Sequence, residues 1–223
     1  INASDTIGLN LIQTITENPN FLGAKSNTAL YDGNSLTLAS GQVEGTYDFN
    51  NVFDLGATYT SYVESFIDIV QLNYVDLFDS ATGQFDLREG LFDGDPAAYD
   101  GSTAIVQIAT TLDDPTSPTA VFTPFNNLSA GSFSARGYKF RASLTTNTLD
   151  VAPKVTRLEV KIDMPDVLQS GEDIPFTGST SIVFPSAFYT TSAPAVSTSV
   201  TGLGSGDFIE ITNKTNSGFT VTA

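Results

Sequence analysis

The chain has 223 residues, and its 25 acidic and 9 basic residues give a formal net charge of −16 without any histidine. A charge of this sign opposes binding to the phosphate backbone of nucleic acids and to anionic lipid surfaces. The absence of Cys and His from the sequence excludes thiol nucleophiles, Ser-His-Asp triads, ordinary zinc and haem sites, and disulfides. Charged residues are only 15% of the chain, and its abundance of Thr, Ser, Asn and Gly favours an all-β fold.

Two sets of apolar residues in the N-terminal third recur at the spacing of a helix face. They are Ile7, Leu11, Ile12 and Ile15, and, further along the chain, Tyr59, Tyr62, Val63, Phe66 and Val70. The first set fits a short helix as well as a strand, whereas the β-branched and aromatic content of the second favours a strand.

Seven further segments have the patterning of strands and are separated by clusters of Gly, Pro, Asn and Asp. They are residues 35–38, 46–53, 104–110, 181–184, 195–200, 208–212 and 219–222. Short strands at this spacing are typical of β-sandwiches.

The clearest strand patterns lie in residues 138–144 and 157–164, where apolar and polar residues alternate. The apolar positions are Tyr138, Phe140, Ala142 and Leu144 in the first segment and Leu158, Val160, Ile162 and Met164 in the second. We expect two antiparallel strands, each buried on one face. Residues 136–161 carry a net charge of +4, whereas residues 1–135 carry −15. Ion pairs within the chain, or with an adjacent subunit, are therefore expected for Arg136, Arg141 and Arg157.

A domain boundary is predicted between residues 165 and 175, where a polar segment is bracketed by two prolines. It divides the chain into an N-terminal connecting segment (residues 1–27), a β-sandwich (residues 28–165) and a smaller β-sandwich (residues 166–223). The longest apolar stretches, such as residues 105–108, are too short to cross a bilayer. The sequence opens with Ile1 rather than Met, which suggests a piece of a longer polypeptide.

Carboxylates and aromatic residues are concentrated in residues 85–100. Asp93 and Asp95 flank a glycine, and oxygen ligands at this spacing suit a hard cation such as Ca²⁺, although the segment lacks the spaced ligands of an EF-hand. The alternative interpretation is a solvated acidic loop. Asp93, Asp95 and Tyr99 are the candidate ligand-binding residues here.

Other candidate residues fit either a ligand site or ordinary structure. Five tyrosines are candidates for stacking on sugars, with the core as the alternative use: Tyr31, Tyr59, Tyr62, Tyr99 and Tyr189. Asp113 and Asp114, which precede Pro115, predict a turn. No motif fixes two carboxylates as an acid and a base, so we expect that the protein is not an enzyme.

Two groups of motifs resemble modules of tailed-bacteriophage tail proteins. Residues 46–49 (Thr-Tyr-Asp-Phe), 52–56 (Val-Phe-Asp-Leu-Gly), 133–144 and 152–160 resemble discoidin-like β-sandwich modules, which implies a jelly roll. Residues 182–188, 193–196 and 211–221 are similar to the small C-terminal H-type-lectin-like module of tail-tip and fibre proteins. Such modules ordinarily continue past the Gly-Phe-Thr-Val strand, which implies that the last strand is missing here or supplied by another chain.

The resemblance implies a structural or adhesive virion component in a phage tail, such as a tail-tip, hub, host-specificity or fibre protein. The implied partners are other tail proteins and a glycan or protein receptor on the host surface. Residues 77–99, which lack steady alternation, are expected to form the loops that bind the receptor with help from divalent cations, and the alternative is that this segment packs on a neighbouring tail subunit. A homotrimer is expected, because the module of residues 166–223 is too small to be stable alone. The alternative is a carbohydrate-binding module of a secreted or cell-surface protein.

Overall fold

A computed structural model describes residues 2–8, 12–73, 101–164, 167–171, 174–185, 187–188 and 194–223. The fold is all-β, with 59% strand and 0% helix, and its sheets are antiparallel, as the composition predicted. Within the described ranges, no helix is long and apolar enough to cross a membrane.

The described residues form sixteen strands. They are β1 (Asn2–Gly8), β2 (Ile12–Thr16), β3 (Ala24–Ser26), β4 (Thr28–Tyr31), β5 (Ser35–Leu38), β6 (Glu44–Asp48), β7 (Phe53–Asn73), β8 (Thr103–Thr111), β9 (Asn126–Asn127), β10 (Gly131–Thr145), β11 (Val151–Asp163), β12 (Val167–Gly171), β13 (Ser179–Val183), β14 (Ala195–Ser199), β15 (Glu210–Thr212) and β16 (Gly218–Thr222). Each of the seven short segments predicted as strands overlaps one or two of these.

The chain divides into two compact units. The large unit is Thr14–Ile162, and the small unit combines Ile1–Gln13 with Asp163–Ala223. The large unit contains a ten-stranded sheet in the order β3-β6-β10-β7-β11-β5-β4, with β2 on β11, β8 on β10 and β9 on β8. This sheet is nearly closed and resembles a barrel.

Strand β10 organises the sheet of the large unit. Its first half pairs with β7, where Gly131 lies opposite Val63. Its second half is flanked on both sides, by β6 and by β8, so that Arg141 lies opposite Asp48 on one side and opposite Gln107 on the other. Directly opposed residues in antiparallel strands project from the same face, so side chains of three strands are aligned there.

The predicted alternation in β10 and β11 is confirmed. Tyr138, Phe140, Ala142 and Leu144 are at most 2% exposed, whereas the residues between them face outward. In and just after β11, Leu158, Val160, Ile162 and Met164 are likewise buried. Burial of each large apolar side chain contributes about 1.5 to 3 kcal/mol, so these two strands supply much of the core.

The described residues of both stretches with helical spacing lie in strands, and Leu11 is outside the described residues. Ile7 lies in β1, Ile12 and Ile15 lie in β2, and the second stretch lies in β7. In β7 the pairing with β10 shifts register between Tyr59 and Asp54, and the irregular segment contains Gly56 at φ 78°. The helix-like spacing begins beyond this irregularity and arises because apolar residues occupy both faces of the strand, since Val63 is buried whereas Tyr62 and Val70 are exposed.

The small unit contains two three-stranded sheets, β12-β1-β14 and β13-β16-β15. Its core consists of Ile182, Phe184, Phe188, Phe219 and Val221. The rings of Phe184 and Phe188 meet edge to face, with centroids 5.1 Å apart and an interplanar angle of 84°. This geometry is favourable for aromatic pairs, so the core is fixed by ring contacts rather than by ion pairs.

Candidate functional site

The residues predicted to bind a ligand or Ca²⁺, Asp93, Asp95 and Tyr99, lie outside the described residues, as does Tyr189. Among the other tyrosine candidates, Tyr31 and Tyr62 are exposed, and Tyr59 is half-buried. Within the described ranges, no group of three or more Asp or Glu side chains is arranged to hold a metal ion.

Each of the three predicted ion-pairing arginines contacts carboxylates. Arg136 donates from Nε to Asp54 at 3.1 Å and from a terminal nitrogen to Asp114 at 2.8 Å. The hydrogen bond with Asp54 raises the pKa of Arg136. Arg157 pairs with Glu159 at 2.8 Å, and this hydrogen bond likewise raises its pKa.

Arg141 belongs to a row of polar side chains that crosses four strands. Its Nε lies 2.5 Å from Oδ1 of Asp48 on β6, and its backbone register places it opposite Gln107 on β8. Gln107 in turn lies opposite Asn127 on β9, and its Nε2 donates to Oδ1 of Asn127 at 3.3 Å. Because opposed residues share a face, a carboxylate, a guanidinium and two amides lie side by side on the outside of the sheet.

Two further rows continue this surface along the strands. Thr46, Ser143 and Ile105 form the second row, and Glu44, Thr145 and Thr103 form the third. The hydroxyls of Thr103 and Thr145 are 2.8 Å apart and hydrogen-bonded. We call the three rows, together with Lys139 on the same face of β10, the polar face.

Two phenylalanine rings lie at one end of the polar face and contact its two basic side chains. Nζ of Lys139 lies 3.9 Å from the ring centroid of Phe122, and the guanidinium carbon of Arg141 lies 4.1 Å from that of Phe125. Thr123, between the two rings, exchanges two hydrogen bonds of 2.9 Å with Thr110 of β8. Cation–π contacts and backbone pairing therefore hold this segment against the sheet.

The polar face has no net formal charge, since Lys139 and Arg141 balance Asp48 and Glu44. This distinguishes it from the chain as a whole, which carries −16. Hydroxyl and amide groups both donate and accept hydrogen bonds, whereas a guanidinium only donates and a carboxylate only accepts. The surface can therefore recognise an uncharged ligand rich in hydroxyl groups.

The β10 residues of the polar face could be predicted from the sequence, whereas Gln107 of β8 and Asn127 of β9 could not. The alternation in β10 identified Lys139, Arg141 and Ser143 as outward-facing. Gln107 and Asn127 had no comparable signal, because β9 is only two residues long and its pairing with β8 is a tertiary contact.

A second polar cluster is buried below the sheet. The phenol of Tyr47 donates to Oε2 of Glu17 and accepts a 2.7 Å hydrogen bond from the backbone N–H of Gly23. Burial, together with the bond to Glu17, raises the pKa of Tyr47 well above its usual range. Tyr47 is fully buried and Glu17 is 7% exposed, so this cluster is a structural element of the core rather than an open site.

The small unit has an apolar cleft of about 130 Å³ beside β12 and β13. Its lining includes Ile174, Ile182, Phe184, Pro185 and Phe219. Most of these side chains also contribute to or contact the core of the unit, so the cleft is a groove at the edge of that core.

No protein-family profile, curated protein or solved structure matches the chain.

Proposed function

We propose that the chain is a non-enzymatic structural and adhesive component of a bacteriophage tail, at the tail tip, hub or fibre, that takes part in attachment to the host cell. The observation that carries the adhesive part is the polar face, in which side chains of four neighbouring strands of one sheet are held in register. The assignment to a phage tail is supported by motifs that resemble those of tail modules, in residues 46–49, 52–56, 133–144, 152–160, 182–188, 193–196 and 211–221.

The contacts of the charged residues support a structural role. Asp54 and Asp114 both form ion pairs with Arg136, and Asp48 forms one with Arg141. These carboxylates therefore hold the arginine side chains in place on the sheet. A rigid scaffold with polar side chains held in register is the arrangement expected of a binding surface, because little conformational entropy remains to be lost on binding.

The proposed partners are other tail proteins and a receptor on the host surface, with the chain assembled as a homotrimer. Asp93 and Asp95 are proposed to bind Ca²⁺ and so to assist adsorption to an anionic envelope. Asp93→Asn/Asp95→Asn particles should assemble normally but adsorb poorly. Particles that carry Asp150→Asn/Glu210→Gln, an equal change of charge at exposed residues, should adsorb like the unmodified ones.

The virion assignment is tested by locating the chain. Gold-labelled antibodies against the purified protein should mark the tail ends of phage particles, and mass spectrometry should find its peptides in gradient-purified virions. Particles that lack the chain, or a coding sequence that lies outside any phage or prophage genome, would contradict the proposal.

The second candidate function is a carbohydrate-binding module of a secreted or cell-surface protein. The polar face favours it as well, because this surface requires no virion around it. Recovery of the chain in culture medium or on the surface of the producing cell, with none in particles, would support this candidate instead.

A further inference from the structure

We propose that the polar face is a binding site for a neutral glycan chain, which would serve as the receptor class of the proposed attachment function and rests on that function for its biological meaning. The site consists of the three rows on β6, β8, β9 and β10, bounded at one end by Phe122 and Phe125.

Charge is the first argument for a neutral ligand. The polar face has balanced formal charges within a chain of −16, so an anionic ligand gains no local attraction and meets repulsion from the rest of the protein. A cationic ligand would find stronger binding at the exposed carboxylates elsewhere. A ligand without charge loses nothing in either respect.

Spacing is the second argument. Neighbouring strands lie about 4.8 Å apart and alternate residues along a strand about 6.7 Å apart, so hydrogen-bonding groups recur in both directions across the surface. Asp48, Arg141 and Gln107 mark the repeat across the strands, and Arg141, Ser143 and Thr145 mark it along β10. A glycan chain likewise carries a hydroxyl group at short, regular intervals.

The side chains are already oriented and retain hydrogen-bonding capacity. The contacts between Arg141 and Asp48 and between Gln107 and Asn127 fix four planar groups. An amide has two donor hydrogens and two acceptor lone pairs, and a guanidinium has five donor hydrogens, more than these contacts use. Ile105, 39% exposed in the middle row, adds an apolar contact suited to the C–H face of a sugar ring.

A peptide that adds to the sheet as a strand fits this surface less well. Strand addition requires free backbone groups at a sheet edge. On the polar face, β6 and β10 are each paired on both sides, and the outermost strand, β9, offers only two residues for strand addition, so side chains provide most of the recognition. Side-chain recognition of hydroxyl groups favours a saccharide.

The test measures binding of the full chain to an array of neutral and acidic glycans. The unmodified protein should bind at least one neutral glycan. Gln107→Ala/Asn127→Ala should weaken that binding by roughly tenfold, the effect of losing one or two neutral hydrogen bonds. The matched control Asn34→Ala/Asn216→Ala also removes two exposed amides, neither of which belongs to the polar face, and should bind like the unmodified protein.

A second variant provides the same test if Gln107→Ala/Asn127→Ala fails to fold. Thr103→Ala/Thr145→Ala removes two exposed hydroxyls of the third row and should also reduce binding, with an unchanged circular dichroism spectrum. Binding to no neutral glycan, binding to acidic glycans alone, or equal binding by face and control variants would overturn the inference.

The same data separate this inference from the virion assignment. A chain found on particles that binds no neutral glycan refutes the glycan site and leaves the tail function standing. A chain that binds a neutral glycan through the polar face and is absent from particles supports the site and refutes the tail function.

Discussion

Tyr47 and Glu17 form a buried hydrogen bond between side chains that are 30 residues apart in the sequence. The carboxylate of Glu17 also accepts a 3.2 Å hydrogen bond from the backbone N–H of Asn50. The phenol accepts from Gly23, so one phenol and one carboxylate connect β6 to the segment between β2 and β3 and to the residues that follow β6.

Removal of this phenol should destabilise the large unit. Tyr47→Phe deletes the bond to the carboxylate and leaves the N–H of Gly23 without its acceptor, so we expect a loss of about 2 kcal/mol in the free energy of unfolding. Tyr62→Phe, at a residue 45% exposed, is the matched control and should change little. Urea unfolding measures both, and equal stabilities of the two variants would contradict the structural role of Tyr47.

Alkaline pH should also destabilise the fold. Burial is the main cause that raises the pKa of Tyr47 and of Tyr138 above the ordinary value of 10.0. Above pH 10 the unfolded chain loses these protons first, so the folded state binds more protons and its stability falls as the pH rises further. The contribution is fully present below pH 10. Unfolding titrations should show a smaller decline for Tyr47→Phe than for the unmodified protein.

The acidity of Asp114 should depend more on Thr116 than on Arg136. The hydroxyl and backbone N–H of Thr116 donate to Oδ1 at 2.6 and 2.9 Å, and these bonds are the main reason that the pKa of Asp114 lies below 3.8. Arg136 acts in the same direction to a smaller extent. Carboxyl NMR titration should therefore show a rise of this pKa in Thr116→Val, which removes the hydroxyl bond and keeps the backbone bond, and an unchanged pKa would contradict the assignment.

Gly218 should not tolerate a side chain. A Cβ atom there would lie 2.2 Å from the carbonyl oxygen of Ile182 on the neighbouring strand β13. Gly218→Ala should therefore cost about 1 to 3 kcal/mol and speed hydrogen exchange in β13 and β16. Gly131→Ala is the control, because its nearest neighbour would be 3.8 Å away. Similar exchange in both variants would contradict the predicted clash.

The assembly state is directly measurable. Light scattering of the purified protein should give three times the chain mass of 23.6 kDa. The physical reason is that a unit this small, whose described core cluster has five buried apolar residues, gains stability from contacts with other copies. A mass equal to a single chain at micromolar protein concentration would refute the trimer.

Local patterns predicted the secondary structure well where a strand is buried on one face without interruption. The alternation from Tyr138 to Leu144 determined which side chains of β10 form the core and which form the polar face. The turn at Asp114 and Pro115 was also predicted correctly. The carboxylate of Asp114 accepts from the backbone N–H of Thr116, and its backbone carbonyl accepts from that of Ser117, as in turns that begin with Asp.

Relations between distant segments could not be predicted in this way. The place of Asn127 beside Gln107 depends on the pairing of β9 with β8, and the bond from Tyr47 to Glu17 depends on how β6 meets the segment after β2. In β7, apolar residues occupy both faces of the strand, with Val63 buried and Tyr62 and Val70 exposed, so the local pattern resembled that of a helix. These features are set by tertiary packing rather than by local preference.

The position of β1 in its sheet determines when that sheet can form during synthesis of the chain. Strand β1 lies between β12 and β14, with Ala3 opposite Gly171 and Asn2 opposite Ser199. Strand β1 is synthesised before β2 to β11, whereas β12 and β14 are synthesised after them, so the complete sheet cannot form until Ser199 has been made. Closing so long a loop is slow and entropically costly, and we therefore expect the small unit to fold after the large one.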